Sequence, residues 1–397
     1  MIIKRLVLSL SLAVGLSVAC QAGSIRYRVE TIPPLPATNP RSQANAINEL
    51  GQVTGLANVP DNSEAFLYEN GTVTRLGNLG LGGGFTNGSG INNAGVVVGT
   101  GSIASGTGFS DRAFVWQPGL GYTAVLDPGN VGLGSNANAV NNLGLVVGVY
   151  RYRGFDRQGF VYRVGDSPSE LILLPFLPES DPANGARQFA NAINDSGVIA
   201  GAARTVVGAL TQAVRWTPNG PGTYVIETLT QPTTTTTFSN SFGINNLGQI
   251  VGSYTDGGVE SALLWNPDGS VQVLGLPSGA SGSVARDINN RGVIVGDIIS
   301  ASGNSAFVYR NGQMTDLNSL IVGPNDFLRL TNARSINDRG QIVGFGQLRQ
   351  GGIRGFVLTA IPEPPAIALG TIACVSATFV RLLHARVCQR RGPFKRR

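Results

Sequence analysis

Histidine is almost absent from this chain of 397 residues: the one His is His384, close to the C-terminus. The body therefore holds no Ser-His-Asp triad, no His-ligated zinc and no Cys-His pair. Cysteine is nearly as scarce. Cys20, Cys374 and Cys388 all lie in the end segments, so the body has no disulfide to hold it together. Charged residues make up only 13 % of the sequence, which is too few for a disordered chain. No GxxxxGK[ST] loop and no Asp-x-Asp-x-Asp-Gly loop occurs, and nothing in the sequence calls for a cofactor or a metal.

The pI near 9.5 invites a nucleic-acid reading, and the position of the charge refuses it. Nine of the 29 basic residues are Lys4, Arg5, Arg381, Arg386, Arg390, Arg391, Lys395, Arg396 and Arg397. Without them 20 basic residues face 23 acidic ones, so the body is slightly acidic.

Both ends read as membrane signals. Residues 1–22 carry Lys4-Arg5, an apolar run from Leu6 to Ala19 and small residues near Ala22, the layout of a secretory signal peptide. Cys20 follows Leu16-Ser-Val-Ala19, a lipoprotein-like box with its Leu one position early, so cleavage after Ala22 is expected instead. Residues 362–397 hold Pro362-Glu363-Pro364, an uncharged run to Val380 and an Arg-rich tail that includes Arg390 and Arg391. As a helix, that run would span about 25 Å, slightly short of the hydrocarbon core, with Arg381 reaching the headgroups. The basic tail would stay inside and the body outside.

Between the ends, residues 23–361, one sentence recurs seven times: small-x-x-Ile-Asn-(Asn/Asp)-x-Gly-x-(Val/Ile)-x-Gly, with variants. Its first Asn falls at Asn48, Asn92, Asn141, Asn194, Asn245, Asn289 and Asn337, 44 to 53 residues apart. Each copy is followed by a phrase such as Ala65-Phe-Leu-Tyr68 or Ala306-Phe-Val-Tyr309, and then by an apolar phrase such as Val73-Thr-Arg-Leu-Gly77. We read four short strands per copy. Asn-x-x-Gly makes the first turn, the Asn bonding its own backbone and the Gly supplying positive φ. Asn-Gly at Asn70-Gly71 and Asn311-Gly312 makes the third. Four strands at this period predict an all-β fold, a seven-bladed β-propeller. The seventh copy lacks a fourth strand after Gly355-Phe-Val-Leu358. The segment from Ile25 to Pro36 is expected to supply it and close the ring.

Strand parity separates a uniform face, with the Asn-x-x-Gly turns, from a variable one. The variable segments are 99–111, 149–158, 177–188 and 231–239. Binding surfaces sit on loops carried by a rigid frame, so the variable face is the candidate. Its densest polar and aromatic stretch holds Arg151, Tyr152, Arg153, Phe155 and Arg157, side chains that suit a sugar or an anionic polymer. The acids Asp61, Glu64, Asp111, Asp156, Asp256, Glu260 and Asp297 fall on or near the same side, and two facing each other would form a glycosidase pair.

The repeat resembles the HAF family of bacterial extracellular repeats over roughly Ser42 to Leu358, although the family's His is replaced here by Glu64, Arg112, Gln158, Gln212, Ser261, Ser305 and Arg354. The Pro-Glu-Pro motif, apolar run and basic tail resemble a PEP-CTERM sorting signal. That resemblance implies processing by an exosortase after signal peptidase, in a bacterium that makes exopolysaccharide. The resulting expectation is a non-enzymatic binding or structural module of the envelope or matrix, with exopolysaccharide or an envelope protein as partner and no nucleic acid. The alternatives are an extracellular carbohydrate-active enzyme using paired loop carboxylates, and a protein-binding propeller.

Overall fold

In the first copy the chain runs through strands Ser42–Ile47, Val53–Val59, Asn62–Glu69 and Thr72–Gly77, each antiparallel to the one before. This pattern fills residues 26–361 of the computed structural model. It describes residues 25–361 except 38, 61, 81–83, 106–107, 127–133, 153–155, 182–184 and 207–208, and the side chains of 105, 108, 109, 152 and 156. The signal peptide and sorting segment inferred from the sequence lie outside the described residues. Among those described, no helix is long and apolar enough to cross a membrane.

The strands form five sheets of four and one of eight. The eight-stranded sheet combines the third and fourth copies. In the third copy the fourth strand shrinks to Ile172–Leu173, beside Pro175 and Pro178. It covers only Phe160 and Val161 of strand Asp156–Arg163. The start of that strand is left open, and Arg157 pairs in parallel with Arg187 of the next copy.

The first strand, Arg26–Thr31, lies antiparallel against the last, Ile353–Ile361, from Arg26↔Ile361 to Thr31↔Phe356. The N-terminal segment thus completes the last sheet, as its sequence suggests. Apolar cores lie between successive copies, not within them. Phe160 and Tyr162 pack with Val98 and Val115, and Phe307 packs with Val251 and Leu264. Phe66 and Tyr68 of the first copy share a core with Val343 and Val357 of the seventh.

Each word of the repeat has a physical task. The Asn-x-x-Gly glycines have φ between 72° and 87°, a region L side chains avoid. In all seven first strands a β-bulge falls three residues before the Asn, for example between Ala44 and Ala46. The bulge brings a carbonyl oxygen down on the final Gly of the sentence. A Cβ on Gly252 would lie 2.0 Å from Asn240 O, and its six counterparts meet the same contact at 1.8–2.0 Å.

The two Asn positions tie the copies together. The first Asn accepts from two backbone N–H groups of its own turn: Asn48 Oδ1 takes Leu50 N–H at 3.0 Å and Gln52 N–H at 2.9 Å. Its amide then donates to the backbone oxygen of the first Asn in the next copy. The cycle runs 48→92→141→194→245→289→337→48 at 2.8–3.1 Å. A second cycle runs beside it. The backbone N–H of residues 49, 93, 142, 195, 246, 290 and 338 each donates to the side-chain oxygen of the following member, and Asp338 donates to Glu49. The first cycle needs a side chain that donates and accepts, which Asn provides and Asp does not. The second needs only an acceptor, so Glu49, Asp195 and Asp338 serve beside four Asn.

Neighbouring residues should therefore answer the same substitution differently. Asn92→Asp removes a donor and sets a carboxylate against Asn141 O, and is expected to cost about 3 kcal/mol or more. Asn93→Asp should stay within about 0.5 kcal/mol. Denaturant titration of both variants checks this, and equal losses would contradict the division of labour. By the same measurement Gly252→Ala should cost about 3 kcal/mol or more. Gly312→Ala, strained in φ but in open space, should cost about 1 kcal/mol.

Candidate functional site

The seven bulged strands line an open-mouthed cavity of about 270 Å³ on the axis of the two cycles. The bulge residue of each strand is one of its lining positions, and these positions differ. They are Asn45, Ser89, Asn138, Asn191, Phe242, Arg286 and Arg334. Asn45, Asn138 and Asn191 donate to backbone oxygens of the next copy, Gly88 O, Ala190 O and Ser241 O, at 2.8 Å. Two further lining positions are charged. Arg286 lies over Phe242 with its Cζ 5.0 Å from the ring centroid and donates from Nε to Asp297 at 2.8 Å. Arg334 lies over Phe345 at 5.2 Å, and its buried Nε has no hydrogen-bond partner. Burial and the like charge of Arg286 lower the Arg334 pKa, partly offset by Asp297.

Asp287 lines the same cavity. Its carboxylate is held among backbone and side-chain donors, and burial raises its pKa to about 6. Bonds from Ile336 N–H, Ser335 Oγ and Ile288 N–H offset the burial in part. Asp195, in the second cycle, shows the opposite balance: burial pushes its pKa up, but the amides of Asn142 and Asn246 bring it below the ordinary value.

On the variable side a second site crosses four strands. Arg151 pairs with Arg157, Arg157 with Arg187, and Arg187 with Arg204, from strand Leu145–Tyr152 through Asp156–Arg163 and Arg187–Ile193 to Ile199–Arg204. Residues paired in register share a face. The four arginines therefore stand in a row about 14 Å long at the backbone, at the spacing of strands in a sheet. Among the described residues none of the four is in a salt bridge. Arg157 lies over the Phe189 ring at 5.4 Å, and the buried Nε atoms of Arg187 and Arg204 have no hydrogen-bond partner. Burial, Arg151 and Arg187 all lower the Arg157 pKa. Below the row lies a cavity of about 300 Å³ lined by Arg187, Phe189, Arg204 and Phe238.

The sequence singled out Arg151 and Arg157 as parts of a loop. They stand at the ends of paired strands, while Arg153 and Phe155, with the side chain of Tyr152, lie outside the described residues. Arg187 and Phe238 fall inside the variable segments 177–188 and 231–239 but were not singled out, and Phe189 and Arg204 were missed, because all four belong to copies other than that of Arg151 and Arg157. Segment 99–111, read as variable, is largely a long hairpin of strands Val97–Ser105 and Gly108–Gln117.

Several of the acids have partners within their own sheets. Glu64 forms a two-point ion pair with Arg75 at 2.8 and 2.9 Å, Glu260 accepts from Ser253 at 2.7 Å, and Asp297 holds Arg286. Asp256 accepts from Thr233 at 3.2 Å. Asp111 sits within its hairpin, paired with Ser102. Asp61 and the side chain of Asp156 lie outside the described residues. Among the described residues no group of three His, Cys, Asp or Glu is placed to hold a metal.

The raised pKa of Asp287 sets a pH dependence. Between about pH 4 and 6 the folded protein keeps a proton that the unfolded chain has lost, so stability falls as pH rises through that window. The penalty is absent below it and complete above it. Asp287→Asn should remove this slope. Thermal melts from pH 4 to 7 check it, and parallel pH profiles for the two proteins would contradict the assignment.

Similar solved structures include virginiamycin B lyase from Staphylococcus aureus, 11 % identical, with 85 % of this chain and 100 % of that one covered and a TM-score of 0.48. Porphyromonas gingivalis dipeptidyl peptidase 4 is 10 % identical over 76 % of this chain and 50 % of that one, with a TM-score of 0.46. The SapL1 lectin, solved with alpha methyl fucoside, is 12 % identical over 70 % and 95 %, with a TM-score of 0.32. No curated protein matches. A family model described as protein of unknown function (DUF3466) matches residues 82–354, more than half of the chain, and the chain belongs to that family.

Proposed function

We propose that this protein is an exported seven-bladed β-propeller, a non-enzymatic binding module of the envelope or extracellular matrix that holds an acidic polysaccharide on its arginine row. The architecture is supported by seven copies of one sentence, two hydrogen-bond cycles that return to their starting copy, and a core shared by the first and seventh copies. Export and exosortase sorting rest on the resemblance of the two ends to known signals, with Pro362, Glu363, Pro364, Arg390 and Arg391 as the sorting residues. The HAF resemblance of the repeats is part of the same reading.

One observation carries the ligand class: four arginines in register across four strands, none in a salt bridge among the described residues. Planar guanidiniums recognise carboxylates and sulfates through paired hydrogen bonds. A row of them at strand spacing suits a polymer that presents one negative charge per sugar. Phe189 and Phe238 add apolar surface for sugar rings.

The full chain should retain an acidic exopolysaccharide intact and leave a neutral one unbound. Replacing Arg187 and Arg204 together by Gln should weaken retention at least about tenfold, since each charge-assisted contact contributes about 1.5–3 kcal/mol. Rising salt should weaken it further. Affinity electrophoresis with product masses checks all three. Shortened glycan products would favour the carbohydrate-active enzyme, and binding to an envelope protein that survives glycan digestion would favour a protein partner.

A further inference from the structure

The axial cavity is a second place for chemistry. The seven copies are built alike around it, yet its bulge positions differ in character. Asn138 and Asn191, of the third and fourth copies, stand across the ring from Arg334 of the seventh, and Asn45 of the first copy stands next to it. Each of the three Asn uses its N–H groups on the next copy, and among the described residues no donor reaches its Oδ1. Arg286 and Arg334 are the charged members. Arg286 is held by Asp297 through Nε, whereas Arg334 lies over Phe345, feels Asp297 only at a distance, and has no partner at Nε. Asp287 does not compensate Arg334 by a direct bond. Its oxygens are taken by Ser335, Ile336 and Ile288.

A cavity lined by a guanidinium in no salt bridge among the described residues and by amide oxygens that receive no donor fits a particular kind of small molecule. It should carry one carboxylate and several hydroxyls. The carboxylate would accept from Arg334, and the hydroxyls would donate to the Asn oxygens. The carboxylates of Glu49, Asp195 and Asp338 line the same cavity at the second cycle, and Asp287 lines it beside Arg286. The first three accept from backbone N–H groups of that cycle and would repel the ligand's acid group toward the arginines, and Asp287 opposes this least at acid pH, where it holds a proton. The volume of about 270 Å³ is on the scale of a single sugar ring, not of a polymer.

We propose that the axial cavity binds one sugar-acid unit, with Arg334 holding its carboxylate, Arg286 beside it, and Asn45, Asn138 and Asn191 receiving its hydroxyls. The unit has two sources, a free monosaccharide acid or the terminal residue of an acidic chain. Asn191 lines both this cavity and the one at Arg187 and Arg204, but Ser89, Arg286 and Arg334 belong to this one alone, so its test is separate from that of the arginine row.

Calorimetric titration of the full chain with glucuronate, with glucose as the uncharged control, tests this. Saturable binding of glucuronate and none of glucose is expected. Arg334→Gln should weaken binding at least tenfold. Ser89→Phe should abolish it by filling the cavity while leaving every charge in place. Phe is already the residue at the matching position of the fifth copy, Phe242, so the repeat accommodates it. Arg215→Gln, in an ion pair with Glu227 on strand Gln212–Pro218, should leave binding unchanged. Oligosaccharides with a terminal uronate, set against ones with only internal uronates, identify the source: terminal binding adds the chain end, and binding of the monosaccharide alone assigns the free acid. No saturable glucuronate binding, equal binding of glucose, or glucuronate binding untouched by both Arg334→Gln and Ser89→Phe would overturn the proposal.

Discussion

The fold depends on one side-chain amide used in both directions. Each first Asn of the repeat closes its own turn with its oxygen and reaches the next copy with its nitrogen. All seven donate in the same sense, so the bonds polarise one another around the cycle. The cycle is nearly dry, with each of these Asn only 2–4 % exposed. A missing member would leave polar groups buried without partners, and the loss of one copy would break the circle for all. Apolar cores that exist only between copies impose the same condition from the outside.

That rigidity is what lets the lining vary. The bulge sets a residue toward the axis in every first strand, and the final Gly of the sentence allows the bulged strand to approach its partner. With spacing fixed by backbone and glycine, the bulge residue itself is free to be Asn, Ser, Phe or Arg. The arginine row arises from a different freedom. A shortened fourth strand in the third copy leaves an edge open, and the next copy's first strand joins it at Arg187.

Much of this was legible in the sequence, and the gaps have physical reasons. The all-β pattern, the Asn-x-x-Gly turns and the pairing of the N-terminal strand with the last sheet followed from periodicity and turn chemistry. The inter-copy role of the Asn did not, because a turn already accounts for an Asn at that place. The signal was present in the difference between two adjacent positions: the first is Asn in every copy, and the second accepts Asp or Glu. Half of the arginine row was visible as Arg151 and Arg157. The other half was not, since a single parallel bridge between separate copies leaves no mark in either strand alone. Arg286 and Arg334 were passed over for a related reason: they sit inside a phrase whose other residues are core.

The pairing of Arg26 with Ile361 has a mechanical consequence. The chain enters and leaves the domain at the same rung of one antiparallel ladder. Tension between these two residues would load the rungs one after another, as in a zipper, rather than together in shear. The last sheet would open from that rung at low force and expose the core that Val343 and Val357 share with Phe66.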